Sequence, residues 1–212
     1  MDVGSFGPIT RFLYIQHLID RGAELDRPDT LKGATPLFVA CQNGKREAVE
    51  VLLAANVDIH KARKEDGSAP LMMAAHNGHM EIVRVLLENG TNVMQLNHTN
   101  LSAFGCAAMR GDLGILQMLY QHIVRDLSDD DMGKVQCFVN QGDSQHGWTP
   151  LHLASMQDNE EVIDYLIRTV RVDVDCKDFD GKIWREHRIE NADAEEQEDA
   201  ENGDNESDHS HS

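Results

Sequence analysis

The chain has 212 residues, 41% apolar and only 5% aromatic, with 37 acidic against 19 basic side chains for a formal charge of −18. That length suits one domain with a tail. No apolar run is long enough to suggest a membrane-spanning helix, and the negative balance opposes binding to nucleic-acid phosphates.

The first residues, MDVGSFGPITRF, lack both a basic and an apolar signal-peptide region, so secretion is not expected. Four cysteines, Cys41, Cys106, Cys137 and Cys176, show no paired spacing. Reduced thiols in a cytoplasmic or nuclear protein are the expectation. Residues 1–9 are too short and too rich in glycine and proline for a helix. Residues 10–20 then place Tyr14, Ile15, Leu18 and Ile19 on one helical face, and Gly22 follows, giving a half-repeat over 10–28. This is either a minimal cap or the remnant of a longer array. The segment 33–59, GATPLFVACQNGKREAVEVLLAANVDI, returns 34 residues later as GSAPLMMAAHNGHMEIVRVLLENGTNV, with Pro36 falling on Pro70 and Gly44 on Gly78. A third copy puts Ala103 in the proline slot and Gly111 in the glycine slot. The fourth begins at Gly147 with Pro150 in register. Self-similarity at this period marks a solenoid, with repeats near 29–63, 64–96, 97–143 and 144–177.

Within each copy, apolar residues fall at i, i+3, i+4 on two short helices. The first carries small residues such as Ala40, Cys41, Ala74, Ala75, Ala107 and Ala108. The second carries branched ones such as Val49, Leu52, Leu53, Leu86, Leu87, Leu116 and Ile163. Thr35-Pro36 and Thr149-Pro150 open helices, threonine accepting an orphan amide and proline fitting the first turn. Alternating segments between copies, such as VDIHKARKEDG, read as β-hairpin connections. Fourteen extra residues separate the third and fourth proline slots, around 125–141. Such an insert should emerge from one face, while Val135, Phe138 and Val139 suggest that its end packs down. Ser128, followed by three aspartates, is a candidate acid-directed phosphorylation site, with a helix cap or solvated loop as the alternative. A fifth copy starts at Asp178 and breaks over 178–188, because Ile183-Trp184-Arg185-Glu186-His187 puts charge where the first helix should begin. From 189 to 212 there are ten acids and no lysine or arginine, a composition expected to be disordered.

Gly147-Trp148-Thr149-Pro150-Leu151-His152-Leu153-Ala154 follows the pattern Gly-x-Thr-Pro-Leu-His-x-Ala. With the glycine turn and the paired leucines after it, the chain resembles the ankyrin-repeat family over roughly residues 10–182. Copy three departs most, with Ser102-Ala103 for Thr-Pro and Asn100 for glycine. The resemblance implies an all-α solenoid of stacked helix-turn-helix units joined by β-hairpin loops. It also implies a partner gripped by loop tips and first-helix ends along a concave groove. By register the first repeat offers Leu31, Lys32, Ala34, Gln42 and Asn43. The second offers Glu65, Asp66, Ser68, His76 and Asn77. The third contributes His98, Thr99, Leu101, Met109 and Arg110, and the fourth Gln145, His146, Trp148, Met156 and Gln157. Trp148 and Met156 are the expected apolar centre of a patch that Leu101 and Met109 extend, with the alternative that Trp148 packs over the hairpin and shields the helix beneath it.

Catalytic and metal motifs are weak. Asp178, Asp180 and Gly181 match part of a calcium loop, but its first and twelfth positions would be Cys176 and His187, and a hairpin accounts for them better. His76 and His79 are three apart across a glycine turn, unlike the helical zinc pair, so His79 is expected to cap or pack there. No nucleophile, base and oxyanion site can be assembled. The reading is therefore a non-catalytic adaptor, scaffold or sequestering inhibitor that needs no cofactor, with a protein partner whose face is basic; the sequence leaves the oligomeric state open, with a monomer as the default. The alternative is a recognition piece of a larger ankyrin-containing enzyme or ubiquitin-ligase subunit.

Overall fold

The structure, a computed structural model, describes residues 21–125 and 131–187. The expected helix over 10–20, Ser128 with Asp129 and Asp130, and the acidic tail from 189 lie outside those residues. Nine α-helices lie wholly within the described residues, and their order follows the repeats. Helices α1 (Pro36–Gln42) and α2 (Arg46–Ala54) form the first, α3 (Pro70–His76) and α4 (Met80–Glu88) the second. The third has α5 (Ala103–Arg110) and α6 (Leu113–Arg125), followed by α7 (Met132–Val139) in the insert. The fourth has α8 (Pro150–Met156) and α9 (Glu160–Tyr165).

First helices pack as one row, α1–α3–α5–α8, and second helices as another, α2–α4–α6–α9. The two rows have different jobs. Ala40, Cys41, Ala74, Ala75, Ala107, Ala108 and Ala154 are all buried, and their small side chains let successive first helices approach closely. Val49, Leu52, Val83, Leu86, Ile115, Leu116, Leu119, Val162 and Leu166 are buried on the second row, where each stabilises by about 1.5–3 kcal/mol. Leu53 and Ile167 are only half-buried at its margin.

Capping follows the sequence closely. Thr35 Oγ1 accepts the Phe38 amide at 3.2 Å, and Ser102 Oγ accepts that of Gly105 at 3.1 Å, so the third repeat keeps its cap without proline. Thr35→Ala is expected to cost about 1 kcal/mol, read as a lower urea midpoint with an unchanged slope. An unmoved midpoint would mean the cap is idle. At Thr149 the cap is shared with His152: the Thr149 amide donates to His152 Nδ1 at 3.3 Å, and the Thr149 hydroxyl lies 2.8 Å from the same nitrogen. Asn100, in the hairpin-glycine slot of repeat three, adopts φ 58°, the left-handed conformation that asparagine tolerates.

The expected β-hairpins are not ladders. Only one isolated bridge, Leu96 to Ser102, occurs among the described residues, and there are no strands. Each connection is instead a finger closed on itself by a carboxylate or amide. Asp29 accepts the amides of Leu31, Lys32 and Ala34; Asn97 those of Thr99 and Leu101. Asp143 accepts from Gln145, His146 and Trp148; Asp178 from Asp180 and Lys182. Neighbouring fingers then share one or two backbone bonds, such as His98 N–H to Asp66 O at 2.9 Å and Phe179 N–H to His146 O at 2.8 Å. Side-chain acceptors within a finger take amides that a hairpin would pair across a ladder.

The insert is mostly helical. Second helix α6 has 13 residues where α2 and α4 have nine, and α7 buries Val135, Phe138 and Val139 as expected. Asn140 Oδ1 accepts the Asp173 amide at 2.7 Å, as Asp26 accepts that of Asp58 at 3.0 Å, so the array resumes its phase after α7. One further extra residue lies in repeat four. A π-helical turn, Leu166–Val170, absorbs it before Arg171 takes the left-handed slot held by Asn56 and Gly90.

The fifth copy is better formed than its sequence promised. Its finger closes on Asp178, and a helix starts at Trp184. Trp184 and His187 are buried at helical spacing while Arg185 and Glu186 face out. Glu186 Oε2 accepts the Ile183 amide at 2.7 Å, and Ser155 Oγ donates to Trp184 O at 2.6 Å. The charge that seemed to break the repeat sits on the solvent side of that turn.

Candidate protein-binding face

Two rows of side chains run along the stack. The first consists of finger tips. Leu31 stands 93% exposed at the first finger, and Lys32 faces Glu65 of the second at 3.6 Å. Both partners of that pair are well exposed, so it adds little stability. Glu65, His98, Gln145 and His146 are exposed, Thr99 half-buried. Ala34 and Ser68 are buried beneath the tips and offer nothing to a partner.

Asp66 is engaged within its own finger. Arg63 occupies the slot where the other fingers carry aspartate or asparagine, and Asp66 takes over the closing role. It accepts the guanidinium of Arg63, the Ser68 amide at 3.1 Å and the Ser68 hydroxyl at 2.6 Å. The Arg63 hydrogen bonds, aided by Ser68, outweigh burial and hold its carboxyl well below the usual carboxylate range. The same guanidinium lies 4.9 Å over the ring of buried Phe38. This residue is a brace before it is a contact.

The second row is formed by the ends of the first helices. Gln42, His76, Arg110 and Gln157 are exposed; Asn77, Met109 and Met156 are half-buried and Asn43 exposed. Asn43 and Asn77 donate their side-chain amides to Val39 O and Met73 O, each at 2.8 Å, closing their helices. Bridges between repeats cross the glycine turns. His79 Nε2 lies 3.2 Å from Gln42 O and its ring covers Gly44, as expected of a packing residue. Arg110 Nη1 donates to His76 O at 3.2 Å over Gly78, and Asn159 to Gly111 O at 3.1 Å. Gly44, Gly78 and Gly111 have positive φ, and a Cβ there would meet the covering side chain within 3 Å.

Trp148 both packs and shows. Its ring stacks on His146 at 4.0 Å and 14° and meets His187 edge-on at 5.9 Å, leaving it half-buried. Leu101 folds back over Gly105, half-buried. The cleft that Leu101, Phe138, Trp148 and Leu153 enclose holds about 10 Å³, at the limit for one water and far below an organic ligand. The cleft beneath this face is thus closed to an organic molecule, and what the face presents is its surface.

Beneath Trp148, His152 is fully buried with both ring nitrogens occupied, Nδ1 by Thr149 and Nε2 facing Lys182 O at 3.2 Å. The proton thus sits on Nε2, which donates. Burial lowers its pKa, with His187 adding to that and the Lys182 carbonyl opposing it. The unfolded chain therefore takes up the proton first, from about pH 6.5 downward, and stability falls with pH over that window. His152→Gln is expected to flatten the drop in melting temperature from about pH 7 to about pH 5. Parallel curves for variant and wild type would refute the assignment. Asp178 also titrates low. Burial raises its carboxyl, but the Lys182 amide, His187 Nε2 at 2.7 Å and the Asp180 amide outweigh that. The residues that looked like part of a calcium loop are thus committed to closing a finger. Burial pushes the Cys41 and Cys106 thiols up to about 12.

Apolar residues of this face that the sequence reading missed are Val39, Met73 and Phe179. Val39 is 43% exposed and Met73 half-buried, one turn before Gln42 and His76 on the same helices. Phe179 is 69% exposed. It stands two residues before Gly181, as Gln145 stands two before Gly147, so extending the register into the fifth copy finds it.

The family model described as "Ankyrin repeats (3 copies)" matches residues 12–97, 37–131 and 93–178, a nearly continuous span of the chain. The helix pairs, the glycine turns and the finger stack agree with that match: this chain belongs to the ankyrin-repeat family.

Proposed function

We propose that the chain is a non-catalytic protein-interaction module, an adaptor, scaffold or sequestering inhibitor, that holds a protein partner against its finger tips and first-helix ends. Ankyrin repeats are generally protein-interaction modules. The observation that carries the reading here is that every first helix shows an exposed or half-buried apolar side chain beside the finger tips, Val39 and Met73 in the first two and, one turn further along, Met109 and Met156 in the last two. Thioether side chains adapt to an apolar partner surface. No helix among the described residues is long and apolar enough to cross a membrane. The acidic balance favours a partner with a basic face, and association then slows as salt rises. Separate, buried thiols at Cys41 and Cys106 fit a reducing compartment, cytoplasm or nucleus.

The test is affinity purification from native lysate at low and high salt, comparing wild type with Trp148→Ala, Met156→Ala. A partner held by wild type and lost by the variant supports the face. The same partner on both proteins refutes it.

A further inference from the structure

The acidity is distributed unevenly along the array. Among the described residues, 21–125 hold 11 acidic and 11 basic side chains, whereas 131–187 hold 11 and six. A basic partner is therefore drawn to the C-terminal end of the stack. At that end stands the one exposed ring of phenylalanine, tyrosine or tryptophan among the described residues, Phe179. Its position is built. The Phe179 amide is bonded to His146 O, and the Cδ1–Cε1 edge of its ring rests on Gly147 so closely that a Cβ there would lie 2.8 Å from Cδ1. One edge is held and the remainder of the ring faces solvent. On the finger that this amide bond joins, His146 stacks on Trp148, and Asp180, the residue after Phe179, is exposed.

We propose that Phe179, His146 and Trp148 form a shelf on the fourth and fifth fingers that receives an arginine or lysine side chain from an extended, basic polypeptide segment. The proposal rests on the protein-binding reading above and names the chemistry of its partner. An aromatic face attracts a cation through its quadrupole, and a neighbouring carboxylate adds a charge of the right sign without enclosing it. The tightness of the cleft below excludes a small ligand as the occupant. A phosphorylated or acidic segment is disfavoured by the surplus of carboxylates. Exposed single apolar residues are common and by themselves mean little. The conjunction here, of a held ring, a stacked aromatic pair and a regional negative charge, is what selects a cation.

The test uses the full chain and two peptides, octa-arginine and its uncharged octa-citrulline counterpart. Titration is followed by the indole N–H resonance of Trp148 and by calorimetry. Octa-arginine is expected to shift that resonance saturably, and octa-citrulline to leave it in place. Phe179→Ala and Phe179→Leu are each expected to weaken octa-arginine about fivefold, the leucine variant keeping the contact over Gly147 but losing the π face. Asp164→Asn, on the second helix of repeat four, controls for diffuse attraction and should change affinity little. Unchanged affinity in both Phe179 variants, an equal loss in Asp164→Asn, or a Trp148 resonance that ignores octa-arginine would each overturn the proposal. Should the native partner be lost by the Trp148, Met156 variant yet kept by Phe179→Ala, the shelf is wrong and the broader face stands. A partner kept by both variants removes both.

Discussion

Phe104→Ala should destabilise the repeat domain by about 3–5 kcal/mol, the range for truncating a buried aromatic. Phe104 is fully buried on α5, the first helix of the third repeat, which packs against α3 on one side and α8 on the other. Its ring lies 6.5 Å from that of Tyr120 on α6, and Tyr120 meets Tyr165 on α9 edge-on at 6.3 Å. The substitution therefore opens a cavity where three repeats meet. Stability in a repeat array is a sum of unit terms and nearest-neighbour interfaces, so damage at the centre weakens two interfaces at once. Against a typical total of about 5–15 kcal/mol, such a loss would leave little folded protein in mild denaturant. Urea unfolding followed by circular dichroism measures it, with Phe104→Leu as a smaller perturbation. A loss below about 1 kcal/mol would mean that neighbouring helices collapse into the space, contrary to the tight packing inferred for this site.

The second large effect concerns binding. Trp148→Ala with Met156→Ala should lower affinity for the partner by about 2 kcal/mol or more, roughly 30-fold. The structure sharpens what this variant does. Trp148 gives up a stacked contact with His146 and an edge contact with His187, and such aromatic pairs are worth about 0.5–1.5 kcal/mol each beyond area. Some loss of stability is thus built into the experiment, and a urea curve must accompany the affinity measurement. A variant that remains folded at the assay temperature and binds as wild type does would sink the reading of this face. Weaker binding that tracks partial unfolding in the same sample would also deny Trp148 a direct role.

The course of the chain was largely legible in its sequence. Pro36, Pro70 and Pro150 mark helix starts, and Gly44, Gly78 and Gly111 mark the turns after them. Leu52, Leu86, Leu119 and Leu166, at the leucine position of each copy, mark the buried side of the second row. These are local rules of backbone and burial, so a repeat period of about 34 residues carries them from one copy to the next. Val135, Phe138 and Val139 likewise announced that the insert returns to the core. The face was half legible. Register placed the finger tips and helix ends correctly along the stack, and Leu31, Gln42, His76, Arg110 and Gln157 are exposed where it put them.

What sequence alone determined was the phase of the repeats and the apolar side of each helix, because periodicity and turn chemistry act within a few residues. Tertiary structure decided which polar side chains are already satisfied. Asp66 is bound within its finger because Arg63 stands where its counterparts hold aspartate or asparagine. Arg110 and His79 reach carbonyls more than 30 residues away, and His152 is locked by a carbonyl of the next finger. Tertiary structure also turned the expected hairpins into stacked fingers and the broken fifth copy into a folded turn. A charged residue at i+1 or i+2 of a helical turn costs nothing when Trp184 and His187 bury the other side, and only the neighbouring repeat supplies the surface that buries them.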